Sequence, residues 1–115
     1  MRVRRRAIYS RMRHPNSDAA AQTIAAAEGV ESALVFSSGM AAIVLSILSV
    51  VKSGDYIVSS PVLYGGVHDF LSNELKRFGV EVTFVDFIRG DIKGAIRANT
   101  KLIYTETICN PLAYR

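Results

Sequence analysis

The sequence predicts an α/β domain: a mainly parallel sheet with helices on both faces. Short apolar stretches alternate with stretches of helical period from one end of the chain to the other. Strand and helix follow one another instead of segregating, the order that implies right-handed crossovers and a sheet covered on both sides. Half of the 115 residues are hydrophobic while aromatics are sparse and Trp is absent, a composition suited to a layered domain and not to a disordered tail.

Residues 18–28 are rich in alanine, with Asn16 and Ser17 ahead of them as candidate caps and Gly29 behind as a stop, so they read as a helix. Pro15 keeps His14 extended. Residues 33–36 read as a buried strand, after which Met40, Ile43, Val44, Ile47, Leu48 and Val51 recur at helical spacing, and Gly54 with Asp55 marks the exit turn. Residues 56–59 form the next predicted strand, ending at Pro61. Val67, Phe70, Leu71, Leu75 and Phe78 then share one helical face opposite Asp69, Asn73 and Lys76, and Gly79 closes that helix. Residues 80–85 read as a mostly buried strand, 91–98 as a short helix and 102–105 as a further strand. No internal repeat or low-complexity linker interrupts the pattern.

The length suits one domain. A basic arm over residues 1–17 precedes the α/β domain predicted over 18–115. Six arginines (Arg2, Arg4, Arg5, Arg6, Arg11 and Arg13) crowd its first fourteen positions, within a net charge of +4 that leaves the remainder mildly acidic. Such an arm suits a phosphorylated ligand, an anionic surface or plain solvation. Nucleic acid is the weakest reading, because no aromatic interleaving or recognised reading module accompanies the charge. Cys109 has no partner for an internal disulfide, and His14 and His68 have no ligands at metal spacing, so neither structural zinc nor another metal is expected and a reducing cytoplasm is the default. Residues 32–51 run without a charge, which raises a membrane-anchored alternative, but the stretch divides naturally into strand, turn and helix. A secretory signal is not expected, since the hydrophobic run starts too far into the chain and no small-residue cleavage site follows it.

Ligands of parallel sheets collect at the carboxyl ends of strands, and three motifs fall there: Ser37 to Met40, Tyr64 to Gly66, and Glu106 to Pro111. The first is an anion cradle in outline. A chain that turns through two serines and a glycine into a helix presents unpaired N–H groups and the positive end of the helix dipole to a phosphate.

Tyr9, Ser10 and Arg11, then Ser37 to Met40 followed by Ala41 and Ala42, then Tyr64, Gly65 and Gly66, and finally Glu106, Thr107, Asn110 and Pro111 resemble the transsulfuration family. These are the enzymes of cysteine and methionine metabolism that use pyridoxal 5′-phosphate (PLP), of the cystathionine γ-synthase, cystathionine lyase and methionine γ-lyase kind. The resemblance runs from Tyr9 to Pro111 and implies the early part of the large domain of the type I, aspartate-aminotransferase-like fold. It further implies that Ser38 and the amides of Gly39 and Met40 hold the cofactor phosphate, and that Tyr64 stacks on the pyridine ring with its phenol available for proton transfer. Tyr9 and Arg11 would reach the phosphate of a neighbouring subunit in a homo-oligomer, a dimer of dimers in the family, and Asn110 would lie near the ring oxygen. The substrate implied is a sulfur-containing or homoserine-derived amino acid, undergoing elimination or replacement at the β or γ carbon.

The family's Schiff-base lysine and the acidic partner of the pyridine nitrogen lie downstream of its Asn-Pro motif. Lys52, Lys76, Lys93 and Lys101 match no catalytic lysine. The family pattern also favours Asn where this chain has His14, and Pro where it has Ile108. A second reading therefore stands beside the enzyme: a catalytically dead remnant that binds phosphate or PLP, or pairs with a full-length subunit.

Overall fold

The computed structural model describes residues 14–108; Tyr9, Arg11, Cys109, Asn110 and Pro111 lie outside them. The chain divides into two compact units, residues 1–37 and 38–115.

In the first unit, helix α1 spans Pro15–Glu28. It begins earlier than the candidate caps Asn16 and Ser17. Proline at the first helical position has the right φ and no N–H to satisfy, which moves the cap back to His14. His14 is extended, and its imidazole Nδ1 accepts the Asn16 N–H at 3.2 Å. Gly29 ends the helix as predicted, at φ 66° and ψ 28°, a left-handed conformation that costs a residue without a β-carbon little. The strand predicted over 33–36 does not form: these residues join no ladder, and Leu34 is 84% exposed. Apolar character alone does not make a strand, since a ladder needs a neighbouring backbone to pair with.

The second unit holds helix α2 (Gly39–Val50), strand β1 (Tyr56–Ser59), helix α3 (Gly65–Asp69), a π-helical turn (Phe70–Glu74), helix α4 (Leu75–Arg77), strand β2 (Glu81–Phe84), helix α5 (Ile92–Ala95) and strand β3 (Thr100–Tyr104). The strands pair in the order β2-β1-β3, all parallel. Tyr56 stands opposite Glu81 on one side and Thr100 on the other.

All four residues of β1 are buried, as suits a strand flanked on both sides, while Ile103 of β3 beside Val58 is 49% exposed. Ile57 joins a core made of Ile47 and Val51 from α2 and its end, Leu63, Val67, Phe70, Leu71, Leu75 and Val80. Val58, next in the alternation, is equally buried but stands outside that cluster. At the amino end of the sheet the Tyr56 hydroxyl hydrogen-bonds Thr83, and the Arg97 guanidinium lies 4.0 Å above the Tyr56 ring while pairing with Glu81 at 3.1 Å.

Phe78 departs from the expected apolar face and is 55% exposed. The helix has ended at Arg77, so Phe78 sits at its C-cap (φ −93°, ψ 6°) and turns away, while Val80 takes the buried place beyond Gly79. Among the described residues no helix is long and apolar enough to cross a membrane. The uncharged run over 32–51 yields only the 12-residue α2, about 18 Å long against a hydrocarbon core of about 30 Å, and this overturns the membrane-anchored alternative.

Candidate cofactor site

Helix α2 starts where the sequence placed its turn. Ser38 is extended (φ −157°, ψ 160°), and its hydroxyl accepts the Ala41 N–H at 3.1 Å while its carbonyl accepts the Ala42 N–H at 3.0 Å. This is a serine cap, and it leaves two donors over: the N–H groups of Gly39 and Met40 have no acceptor inside the helix. Cap and anion cradle are compatible, because the cap takes the third amide and not the first two. Gly39 is exposed, and a β-carbon on it would meet nothing within 4 Å, so open space lies beside those donors.

Tyr64 begins α3. Its carbonyl accepts the N–H groups of Val67 and His68 at 2.9 and 3.0 Å, and its own N–H donates to Glu106 Oε2 at 2.9 Å. The side chain is 49% exposed. Gly66 explains how this residue reaches the start of α2: a β-carbon there would lie 2.9 Å from Tyr64 Cε1 and 3.3 Å from Met40 Sδ. Met40, Gly66 and Tyr64 therefore converge, joining the aromatic ring to the helix that carries the two open amides. A phosphate on an aromatic group fits this arrangement, one feature for each half of the ligand.

At the carboxyl ends of all three strands lies a cleft of about 660 Å³, bordered among others by Ser60, Val62, Asp86, Arg89, Glu106 and Thr107. Glu106 thus lines the cleft and holds Tyr64 at once. The Tyr104 phenol is pushed above its ordinary value, first by burial and then by the Glu106 carboxylate, both of which disfavour the phenolate. The sequence placed Glu106 in a motif without giving it a role. Its signal is an acidic residue directly after a strand, at the end of the sheet where ligands gather.

The histidines do other work. His14 caps α1, and His68 stacks on Phe84 with ring centroids 4.7 Å apart and Ser72 Oγ 3.3 Å from its Nδ1. Among the described residues no three His, Cys, Asp or Glu side chains gather as metal ligands. Lys52, Lys76, Lys93 and Lys101 are all exposed.

The likenesses to known proteins run along almost the whole chain. An L-methionine gamma-lyase of Porphyromonas gingivalis is 45% identical over 108 residues, covering 93% of this chain and 27% of that protein. The crystal structure of metB from Corynebacterium glutamicum superimposes with a TM-score of 0.89 at 39% identity, over 96% of this chain and 29% of that one. A crystal structure from Campylobacter jejuni, bearing N′-pyridoxyl-lysine-5′-monophosphate at its position 205, gives a TM-score of 0.86 at 35% identity over 93% of this chain and 26% of that one. The chain thus spans between a quarter and a third of the length of each. A profile of the family described as Cys/Met metabolism PLP-dependent enzyme matches residues 2–114, and the chain belongs to that family.

Proposed function

We propose that this chain forms the phosphate- and ring-binding part of a PLP-dependent transsulfuration enzyme, one that eliminates or replaces a substituent at the β or γ carbon of a sulfur-containing or homoserine-derived amino acid in the cytoplasm. The observation that carries the reading is the convergence of Met40, Gly66 and Tyr64, which brings the Tyr64 ring and the Met40 side chain of α2 to one point at Gly66. Family membership supports the cofactor.

In this reading the Gly39 and Met40 N–H groups bind the phosphate, helped by the dipole of a helix 12 residues long. Ser38 fixes the direction of that helix through its cap. Tyr64 offers its ring as a platform, and its phenol is the group that holds or moves a proton at Oη. When bound, PLP supplies an electron sink for a carbanion at the substrate's α carbon. The basic arm over 1–17 brings Tyr9 and Arg11 to the phosphate of a neighbouring copy, where a guanidinium fork suits a dianion, and Asn110 stands near the ring oxygen from the domain over 18–115.

The test compares pyridoxine 5′-phosphate with pyridoxine by quenching of tyrosine fluorescence. Neither ligand has the aldehyde that would react with the exposed lysines. The phosphate ester binds at least about tenfold tighter, as two charge-assisted hydrogen bonds require. Equal affinities, or no binding of either, would refute the site.

A further inference from the structure

We propose that Glu106 is a positioning residue for Tyr64, a role that rests on the cofactor site described above. Tyr64 opens α3 with no side-chain cap, and the two residues after it are glycines, so the local hold on the turn is limited to the two helix bonds its carbonyl accepts, and its N–H is left for a partner elsewhere. A tyrosine ring has only two side-chain torsions, and its place is therefore set by where its main chain is held. The hold comes from 42 residues further along the chain: Glu106 Oε2 accepts the Tyr64 N–H at 2.9 Å. A carboxylate makes this hydrogen bond charge-assisted, stronger than one from a neutral acceptor. Glu106 stands just beyond the end of β3, so its bond fastens the start of α3 to the sheet. Held in this way, the ring stays against Gly66, where the Met40 side chain of α2 also arrives.

The experiment uses the full chain with Glu106→Ala and Glu106→Gln, and reads two quantities. The first is amide hydrogen exchange at Tyr64 and, as a reference inside the sheet, at Ile57. The second is affinity for pyridoxine 5′-phosphate and for inorganic phosphate, which share the α2 amides but not the ring platform. In Glu106→Ala, exchange at Tyr64 quickens about tenfold with Ile57 unchanged, and pyridoxine 5′-phosphate binding weakens about fivefold while phosphate binding holds within about twofold. Glu106→Gln keeps an acceptor oxygen and restores both quantities to within about threefold. Binding of pyridoxine 5′-phosphate that Glu106→Ala leaves untouched overturns the positioning role alone, as does an equal loss for both ligands with faster exchange at Ile57. A wild-type chain that binds neither ligand overturns the cofactor site and this role with it, a distinct result.

Discussion

Met40 and Gly66 meet across two helices: the Met40 sulfur stands 3.3 Å from where a β-carbon on Gly66 would lie, and Tyr64 Cε1 stands 2.9 Å from the same point. Gly66→Ala forces the Tyr64 ring to shift, since 2.9 Å is closer than a methyl and a ring carbon can stand. The ring is half exposed and yields cheaply, and alanine gains about 1 kcal/mol over glycine in a helix. Stability by urea denaturation thus stays within about 1 kcal/mol of wild type. Pyridoxine 5′-phosphate affinity falls severalfold, and a loss of stability without a loss of affinity would show that the approach serves packing alone.

Gly39→Pro removes a donor while sparing the helix. Proline is favoured at the first helical position, and Ser38 already has the extended backbone that proline demands of its predecessor. Circular dichroism should be unchanged. Affinity for inorganic phosphate should drop about tenfold, the worth of one charge-assisted hydrogen bond; unchanged phosphate affinity would remove this amide from the site.

Ser38→Ala deletes the acceptor for the Ala41 N–H and destabilises the chain by about 1 kcal/mol, read as a lower urea midpoint at constant slope. Ser38→Gly costs only a few tenths of that scale, because a glycine cap leaves the amide open to water.

Tyr104 makes part of the fold's stability sensitive to alkali. Its folded-state pKa is raised above the ordinary value of 10.0, by burial and then by Glu106, so the unfolded chain loses the phenolic proton first. The stability tied to the neutral phenol is fully present below pH 10 and is lost as pH rises through the folded pKa. Denaturation at pH 8 and pH 11 should show a smaller drop in Tyr104→Phe than in wild type. An identical drop in both would assign the sensitivity to other groups.

Local features of the fold were legible because local chemistry decides them. Residues 56–59 are an apolar run closed by a Gly-Asp turn and a proline, and β1 spans Tyr56–Ser59. Gly29 and Gly79 end their helices at φ 66° and 72°, and Ser38 caps α2. The misses have non-local or subtle causes. Residues 33–36 look like a strand but join no ladder, Pro15 moved the cap of α1 to His14, and Phe78 left its apolar face where the helix stopped. The π-helical turn at Phe70–Glu74 keeps Phe70, Leu71 and Leu75 buried, and a 3.6-residue period cannot signal it. In the candidate site, the serine-capped turn into α2 at Ser38 to Met40 is contiguous and could be read directly. The hold of Glu106 on Tyr64 could not, since only the folded sheet brings the two together.

The order β2-β1-β3 also governs how the chain is born. During synthesis β1 emerges with neither neighbour, gains one flank only when Glu81 and its successors appear, and waits for Thr100 before its second flank is made. Its apolar residues thus stay without their second flank until β3 emerges, and the ribosome delivers the latch at Glu106 only after that strand; nascent chains halted before residue 100 should engage holding chaperones that longer ones release.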